Sequence, residues 1–429
     1  MGQVKPLAVL RAAVFGATIA LLASACGSVS AETTFHGAAP SPSGVAASHA
    51  ANAASLVAGR WSALPAAPIA SRQGASVVWT GTEMLVWGGA SGANGGELHA
   101  DGAAFDPAKR TWHLLPPAPL SPRTGQAAVW SGHEMLVWGG YTHVGASAFA
   151  VTDSGAAYDP RSNRWQTLPS AALSPRADAL GVWTGTAVLI LGGHPAVTTA
   201  TRRGFGDGAL YEPTTGRWTY LAAPSHTGGH PLDWVAAIQA RSELLAWSTW
   251  SATRYVGSST YSQSGGTQLY SYAESAHRWQ LLPASPASLP TVEDAIWTGR
   301  EAIVSGITYN CGACSGPFVP EATATYDPTN NTWSRLPPDP LGGDGLGSAW
   351  TGAALFSFDA GGIYGSVSPG AASVYDPTTN TWQRTPSVPG GCDSAADPLW
   401  TGHQILMYCP RGTTGVSAAH DGLAFTPRS

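Results

Sequence analysis

The chain has 429 residues, 44% of them hydrophobic and only 11% charged, with 52 Gly, 33 Pro and 18 Trp. That mixture suits many short strands broken by turns and disfavours long helices. The formal charge is -5 and lysine occurs only at Lys5 and Lys109, so no basic run follows a phosphate backbone and nucleic acid is excluded as an expected partner.

Residues 1–25 read as a signal peptide. Lys5 and Arg11 flank the start of an apolar run from Ala12 to Leu22, and Ala23-Ser24-Ala25 supplies a small-residue processing site. Pro6 fails the Ser/Thr requirement for N-myristoylation. Ala23-Ser24-Ala25-Cys26-Gly27 resembles the lipobox of bacterial lipoproteins. The resemblance implies that Cys26 becomes the lipidated first residue of an exported protein, held at the outer face of the cytoplasmic membrane or in the cell envelope. Leu22 stands one place earlier than the usual leucine, and the alternative is an ordinary secretory cut near Ala25 that leaves Cys26 free. Residues 26–58 are rich in Ala, Ser and Gly and are expected to form a flexible tether. No later apolar stretch is long enough to span a bilayer, so the membrane is expected to be met only through that anchor.

From residue 59 to 429 one unit repeats. Trp79-Thr80-Gly81, Trp130-Ser131-Gly132, Trp183-Thr184-Gly185, Trp297-Thr298-Gly299, Trp350-Thr351-Gly352 and Trp400-Thr401-Gly402 are joined by a degenerate copy starting at Ile238. Successive starts lie 51, 53, 55, 59, 53 and 50 residues apart. A second phrase follows each of the first six: an aromatic residue and, seven places later, Trp. The pairs are Phe105/Trp112, Tyr158/Trp165, Tyr211/Trp218, Tyr272/Trp279, Tyr326/Trp333 and Tyr375/Trp382. Two hairpins per unit explain both phrases, the Thr-Gly step turning the first and a polar Asp-Pro run the second. Apolar runs such as Met84-Leu85-Val86-Trp87 are the buried strands between them. A four-stranded unit of this kind cannot bury its own faces, and stacking seven of them round an axis does so.

These units resemble the kelch family, whose repeats carry a double glycine after the second strand and then the spaced aromatic and Trp. Gly88-Gly89, Gly139-Gly140 and Gly192-Gly193 match, whereas Trp247-Ser248, Gly306-Ile307, Asp359-Ala360 and Cys409-Pro410 depart. The resemblance implies an all-β, seven-bladed β-propeller with four antiparallel strands per blade. It does not fix an activity, since kelch propellers serve as protein-binding platforms, sugar oxidases and sugar mutarotases. The ends are complementary: Trp61 has the form of an outer strand with no blade before it, and the Trp expected after Phe425 falls beyond Ser429. The strand around Trp61 is therefore expected to close the last blade.

With strands named A to D outward from the axis, the A–B and C–D turns share one face and are short. The B–C and D–A connections share the other and include the long stretches 90–101, 141–155, 194–207, 249–266 and 307–322. A recognition site is expected there, round the channel mouth. Arg72, Arg123 and Arg176 recur seven residues before the first three starts, and Asp233, Glu293, Asp294, Asp344, Asp393 and Asp397 gather at similar positions later. Such charges either orient a polar ligand or tie neighbouring blades together. Trp250, Tyr255 and Tyr309 are candidates for stacking on a ligand, and His226, His230 and Asp233 have a loose metal-ligand spacing that a solvated loop also explains. No cofactor is expected.

Four cysteines remain in an oxidising compartment. Cys311 and Cys314 are expected to close a loop, and Cys392 is expected to meet Cys409 across the last A–B hairpin. The expected function is a monomeric, lipid-anchored surface module that binds a glycan or an envelope protein through the loop face. The alternatives are a carbohydrate-acting enzyme, oxidase or mutarotase-like, and a purely structural surface protein. The copper-radical oxidases of the family need a Cys–Tyr cross-link, a further Tyr and two His, and no such set can be placed here.

Overall fold

The computed structural model describes residues 51–428 apart from 92–95, 145–147, 196–203, 226, 228–229, 231, 256–260, 287–288, 290–291, 309–318, 342–345, 360–369, 390–391, 393–397 and 410–420. The repeated phrases are the turns of seven four-stranded antiparallel sheets. In blade 1, Ser76–Trp79 is strand A, Met84–Trp87 strand B, Gly102–Asp106 strand C and Thr111–Leu114 strand D. The A strands of the next five blades are Ala127–Trp130, Leu180–Trp183, Trp234–Ala240, Asp294–Trp297 and Leu346–Trp350. Successive A strands lie against one another, which places them nearest the axis. Blade 7 consists of Leu399–Trp400, Ile405–Tyr408 and Gly422–Thr426, with Arg60–Ala63 as its strand D. Trp61 stands opposite Phe425 in that pairing, so the N-terminal strand seals the ring as the sequence implies.

The turn chemistry explains why the phrases recur. In the first A–B turn the Thr80 amide donates to Glu83 O at 2.9 Å, the Thr80 hydroxyl accepts from the Glu83 amide, and Gly81 takes φ 98°. A Cβ at Gly81 meets nothing, so backbone conformation rather than crowding demands glycine there. The C–D turns place a residue in the left-handed region just before strand D, as at Asn163, Gly216, Asn331 and Asn380. Blade 4 departs from this frame. Gln239, not Ile238, pairs with Leu244 and so occupies the place that Trp79 holds opposite Met84. A bulge between Trp234 and Ala236 and a tight Arg241-Ser242 turn shift the unit by one residue, which obscures it in the sequence.

The aromatic–Trp phrase forms a girdle. Each pair sits directly across strands C and D, with centroids 4.7 to 5.2 Å apart from Trp61/Phe425 to Tyr375/Trp382. Each of these Trp residues also donates its indole N–H to a carbonyl of the preceding blade. Trp112 reaches Pro65, Trp165 Pro116, Trp218 Pro169, Trp279 Ala222, Trp333 Pro283 and Trp382 Pro337, at 2.9 to 3.1 Å. Trp61 reaches Pro386 at 2.9 Å and completes the circuit. The acceptor is always four residues beyond the previous blade's own Trp, so one motif supplies both donor and acceptor.

Buried side chains among the described residues fall into seven clusters, one in each wedge between blades. The wedge between blades 6 and 7 is also filled from before strand D. A one-turn helix, Ala53–Val57, capped by the Asn52 side chain, buries Leu56 completely, and Thr351 Oγ1 donates to Ala51 O at 2.7 Å. The expected tether therefore does not reach residue 58: its last residues from Ala51 onward belong to the propeller, because Ala53 and Leu56 present an apolar face that the wedge covers.

Candidate functional site

The two faces of the ring differ. On the face of the A–B and C–D turns the connections are tight and repeated. On the other, the described parts of the B–C connections stand up as ribbons: Ala90–Ser91 with Glu97–Leu98, and Tyr141–Val144 with Ala148–Val151. In blade 4 strands B and C run on as Glu243–Tyr255 and Tyr261–Ala273, paired along their whole length to Tyr255 opposite Tyr261.

The double glycines bring this face close to the next blade. Gly89 takes φ 92°, and a Cβ there would lie 2.7 Å from Gln73 O. Its amide donates to Arg123 O of blade 2, and Gly140 donates likewise to Arg176 O of blade 3. Arg72, Arg123 and Arg176 are 0 to 1% exposed, so their donors face the scaffold rather than the mouth. Arg72 Nη1 bonds Asp101 Oδ1 at 2.6 Å and reaches Gly88 O, and Arg176 Nη1 bonds Asp207 Oδ1 at 2.8 Å and Gly192 O at 3.0 Å. Each side chain thus clasps strands B and C of its own blade, and the carbonyls of Arg123 and Arg176 also hold the preceding blade. Phe205 lies 4.0 Å beneath the Arg176 guanidinium.

Blade 2 has Ser154 where blades 1 and 3 have Asp101 and Asp207. Arg123 bonds Ser154 O at 3.0 Å and Ser154 Oγ at 2.9 Å, and burial lowers its guanidinium to about 10. Ser154→Asp places a carboxylate in that position. It is expected to raise stability by on the order of 1 kcal/mol, read as a higher midpoint in denaturant at unchanged slope.

Blade 7 replaces the clasp with a covalent bond. Cys392 and Cys409 form a disulfide with Cα atoms 5.3 Å apart, as the hairpin geometry implied. The Cys409 amide donates to Asp421 O at 3.1 Å, as Gly88 does to Asp101 O and Gly192 to Asp207 O. Cys409 therefore stands where the guanidinium grips strand B in blades 1 and 3, and the bond pins the D–A connection to it.

At the mouth, the structure joins some expected residues across blades. Tyr141 Oη donates to Asp178 Oδ2 at 3.0 Å, and Asp178 takes φ 57° where blades 1 and 2 have Gly74 and Gly125. One blade further, His194 Nε2 lies 3.6 Å from Asp233 Oδ1. His230 stacks on Trp250 with centroids 3.8 Å apart and planes 7° from parallel. These contacts make an arc of phenol, carboxylate, imidazole and indole across blades 2 to 4. Asp294 is 8% exposed and its Oδ1 accepts from the Ala295 amide, so it belongs to the start of strand A rather than to the arc. Among the described residues no three His, Cys, Asp or Glu side chains are grouped to hold a metal ion. Cys26, His226, Tyr309, Cys311, Cys314, Asp344, Asp393 and Asp397 lie outside the described residues. A groove of about 210 Å³ lined by Pro224, Ser225, Tyr270, Trp279 and Leu281 lies at the outer strands of blades 3 and 4, not at the mouth.

One contact on this face has no sequence motif: Ser91 Oγ lies 2.7 Å from His99 Nε2. Only the pairing of Ser91 with Glu97 reveals it, because residues diagonal across a ribbon share a side.

Comparison with known proteins agrees with this architecture. The KLHDC2/KLHL20/DRC7 Kelch-repeats domain family matches residues 37–245. The Kelch-like protein terF of Aspergillus terreus is 26% identical over 254 residues, 57% of this chain and 52% of that protein. The chain thus matches about half the length of that relative.

Proposed function

Because the chain is a kelch-repeat β-propeller, a scaffold that generally binds protein partners, we propose that it is an exported binding module whose channel face captures an envelope protein. One observation carries this reading: among the described residues the channel face is the elaborated one, by ribbons on blades 1 and 2 and by the 13-residue strands of blade 4, while the opposite face is stereotyped turns. Variable connections on a rigid ring are where recognition resides. The Tyr141–Asp178, His194–Asp233 and His230–Trp250 contacts supply polar and flat aromatic surface there, and a glycan is the competing ligand class. Cys26 in its lipobox-like context supports a lipid anchor that holds the module at the membrane.

The test has two arms. Protein expressed from residue 1 is expected in the membrane fraction and released by Cys26→Ala; release of the unmutated protein would overturn the anchor. The immobilised propeller is then offered a glycan array and purified envelope proteins. Selective protein binding that weakens roughly tenfold on Trp250→Ala supports the module. Binding confined to glycans, or unaffected by channel-face substitutions, overturns it.

A further inference from the structure

We propose that Ser91 is an activated nucleophile, forming with His99 and Asp101 a site for acyl transfer from short O-acyl esters on the channel face of blade 1. The ribbon fixes the geometry. Ala90 pairs with Leu98 and Ser91 with Glu97, the His99 amide donates to Gly89 O at 2.9 Å, and the Arg123 amide of blade 2 donates to His99 O at 3.0 Å. The histidine backbone is thus held by its own blade and by the next.

The proton assignment follows from electrostatics. His99 Nδ1 lies 3.9 Å from Asp101 Oδ1, and the Asp101 carboxylate is fixed by Arg72 through bonds of 2.6 and 3.3 Å. Burial raises the Asp101 pKa, but the Arg72 hydrogen bond and charge more than offset it and keep the group ionised. A carboxylate facing Nδ1 favours the proton on that nitrogen and leaves the Nε2 lone pair towards Ser91. At 2.7 Å the Ser91 hydroxyl therefore donates to Nε2; Glu97 Oε2, at 3.4 Å, is the weaker acceptor. Burial, then the Arg72 charge, lower the His99 pKa against the raising effects of Asp101 and Glu97, so the imidazole is neutral at neutral pH and able to accept a proton. Nucleophile, base and carboxylate are then in order, the carboxylate acting on the imidazole through its charge at 3.9 Å rather than through a hydrogen bond.

In the reaction, Ser91 Oγ bonds to the acyl carbon while its proton passes to His99 Nε2. The ester C–O bond breaks and the departing alkoxide takes that proton. Water then attacks the acyl-serine carbon while giving a proton to His99, the bond from that carbon to Ser91 Oγ breaks, and His99 returns the proton to Ser91 Oγ as the carboxylic acid leaves. The described neighbours are polar, with Glu97 exposed and the Asp101 side chain 54% exposed, so an acetyl-sized group fits better than a long acyl chain.

The test uses the purified full chain, a fluorophosphonate probe with mapping of the labelled peptide, and p-nitrophenyl acetate hydrolysis. Label on Ser91 is expected, absent in Ser91→Ala and at least roughly tenfold slower in His99→Ala. The rate should rise with pH as His99 loses its proton, under the opposing fields of Arg72, Asp101 and Glu97. Both variants are expected to melt within about 2 °C of the parent, because neither removes the Arg72–Asp101 clasp. Labelling no faster than in Ser91→Ala, or spread over the other serines, overturns the proposal. Its outcome is independent of partner binding, so labelling without a partner sinks only the binding module.

Discussion

A chain lacking residues 59–65 is expected to lose cooperative folding and to bind a hydrophobic dye. The deletion removes strand D of blade 7, its pairing from Arg60 to Ala63 with Thr426 to Leu423, and the Leu64 amide bond to Gly422 O. It also breaks the girdle twice, since Trp61 donates to Pro386 O and Pro65 O accepts from Trp112. Trp61 packs on Phe425, Phe356 and Phe358, and Leu64 is 4% exposed in the wedge between blades 7 and 1. Trp61→Ala alone should cost about 3–5 kcal/mol. The full deletion exceeds that and approaches the whole stability of a typical domain, about 5–15 kcal/mol. Deleting residues 27–50 should leave the melting temperature unchanged. Extending that deletion through 58 should lower it, because Leu56 and the Ala51–Thr351 bond go with it. Melting curves with dye binding distinguish the three deletions.

Replacing Cys392 and Cys409 together with serine is expected to destabilise the protein by about 3 kcal/mol, the scale for a cross-link that closes a loop of this length. Both cysteines are almost fully buried, at 1% and 0%, so the hydroxyls introduced also need partners that the apolar wedge does not offer. Reducing agent should lower the stability of the parent by a similar amount and leave the double variant unaffected. The local consequence separates this bond from a generic staple. Because it stands in the place of the arginine clasp, its loss should raise amide exchange at Cys409 and Leu399–Trp400 before the strands of blades 1 to 3 respond.

The architecture was legible because its signals are local. Thr80, Ser131, Thr298 and Thr401 turn their own hairpins through a hydroxyl three residues from its amide partner, and every aromatic of the girdle except Phe425 faces a Trp seven residues on. Blade 4 lacks that signature, because a bulge and a two-residue turn shift its unit by one residue. The indole-to-carbonyl circuit leaves no local signal of its pairing, since its partners lie 45 to 57 residues apart, and 325 for Trp61. The recurring Leu-Pro after Trp, as in Leu64-Pro65, Leu115-Pro116 and Leu168-Pro169, was its one trace. The arginines at the mouth are visible as a repeat but not as clasps, because Asp101 and Asp207, each one residue before strand C, lie 29 and 31 residues beyond their arginines, across the B–C connection. His99 carries no motif: only the register of the ribbon brings it to Ser91, eight residues away.

One chain closes the seven-bladed ring by setting its strand Arg60–Ala63 beside Gly422–Thr426. The exposed pair Arg60 and Thr426 tests it most directly. Arg60→Cys with Thr426→Cys, in a background of Cys26→Ser, should oxidise to a disulfide within the monomer, seen as one linked peptide under non-reducing mass mapping. Failure of the two positions to link, or linkage only between two chains, would contradict the closed ring.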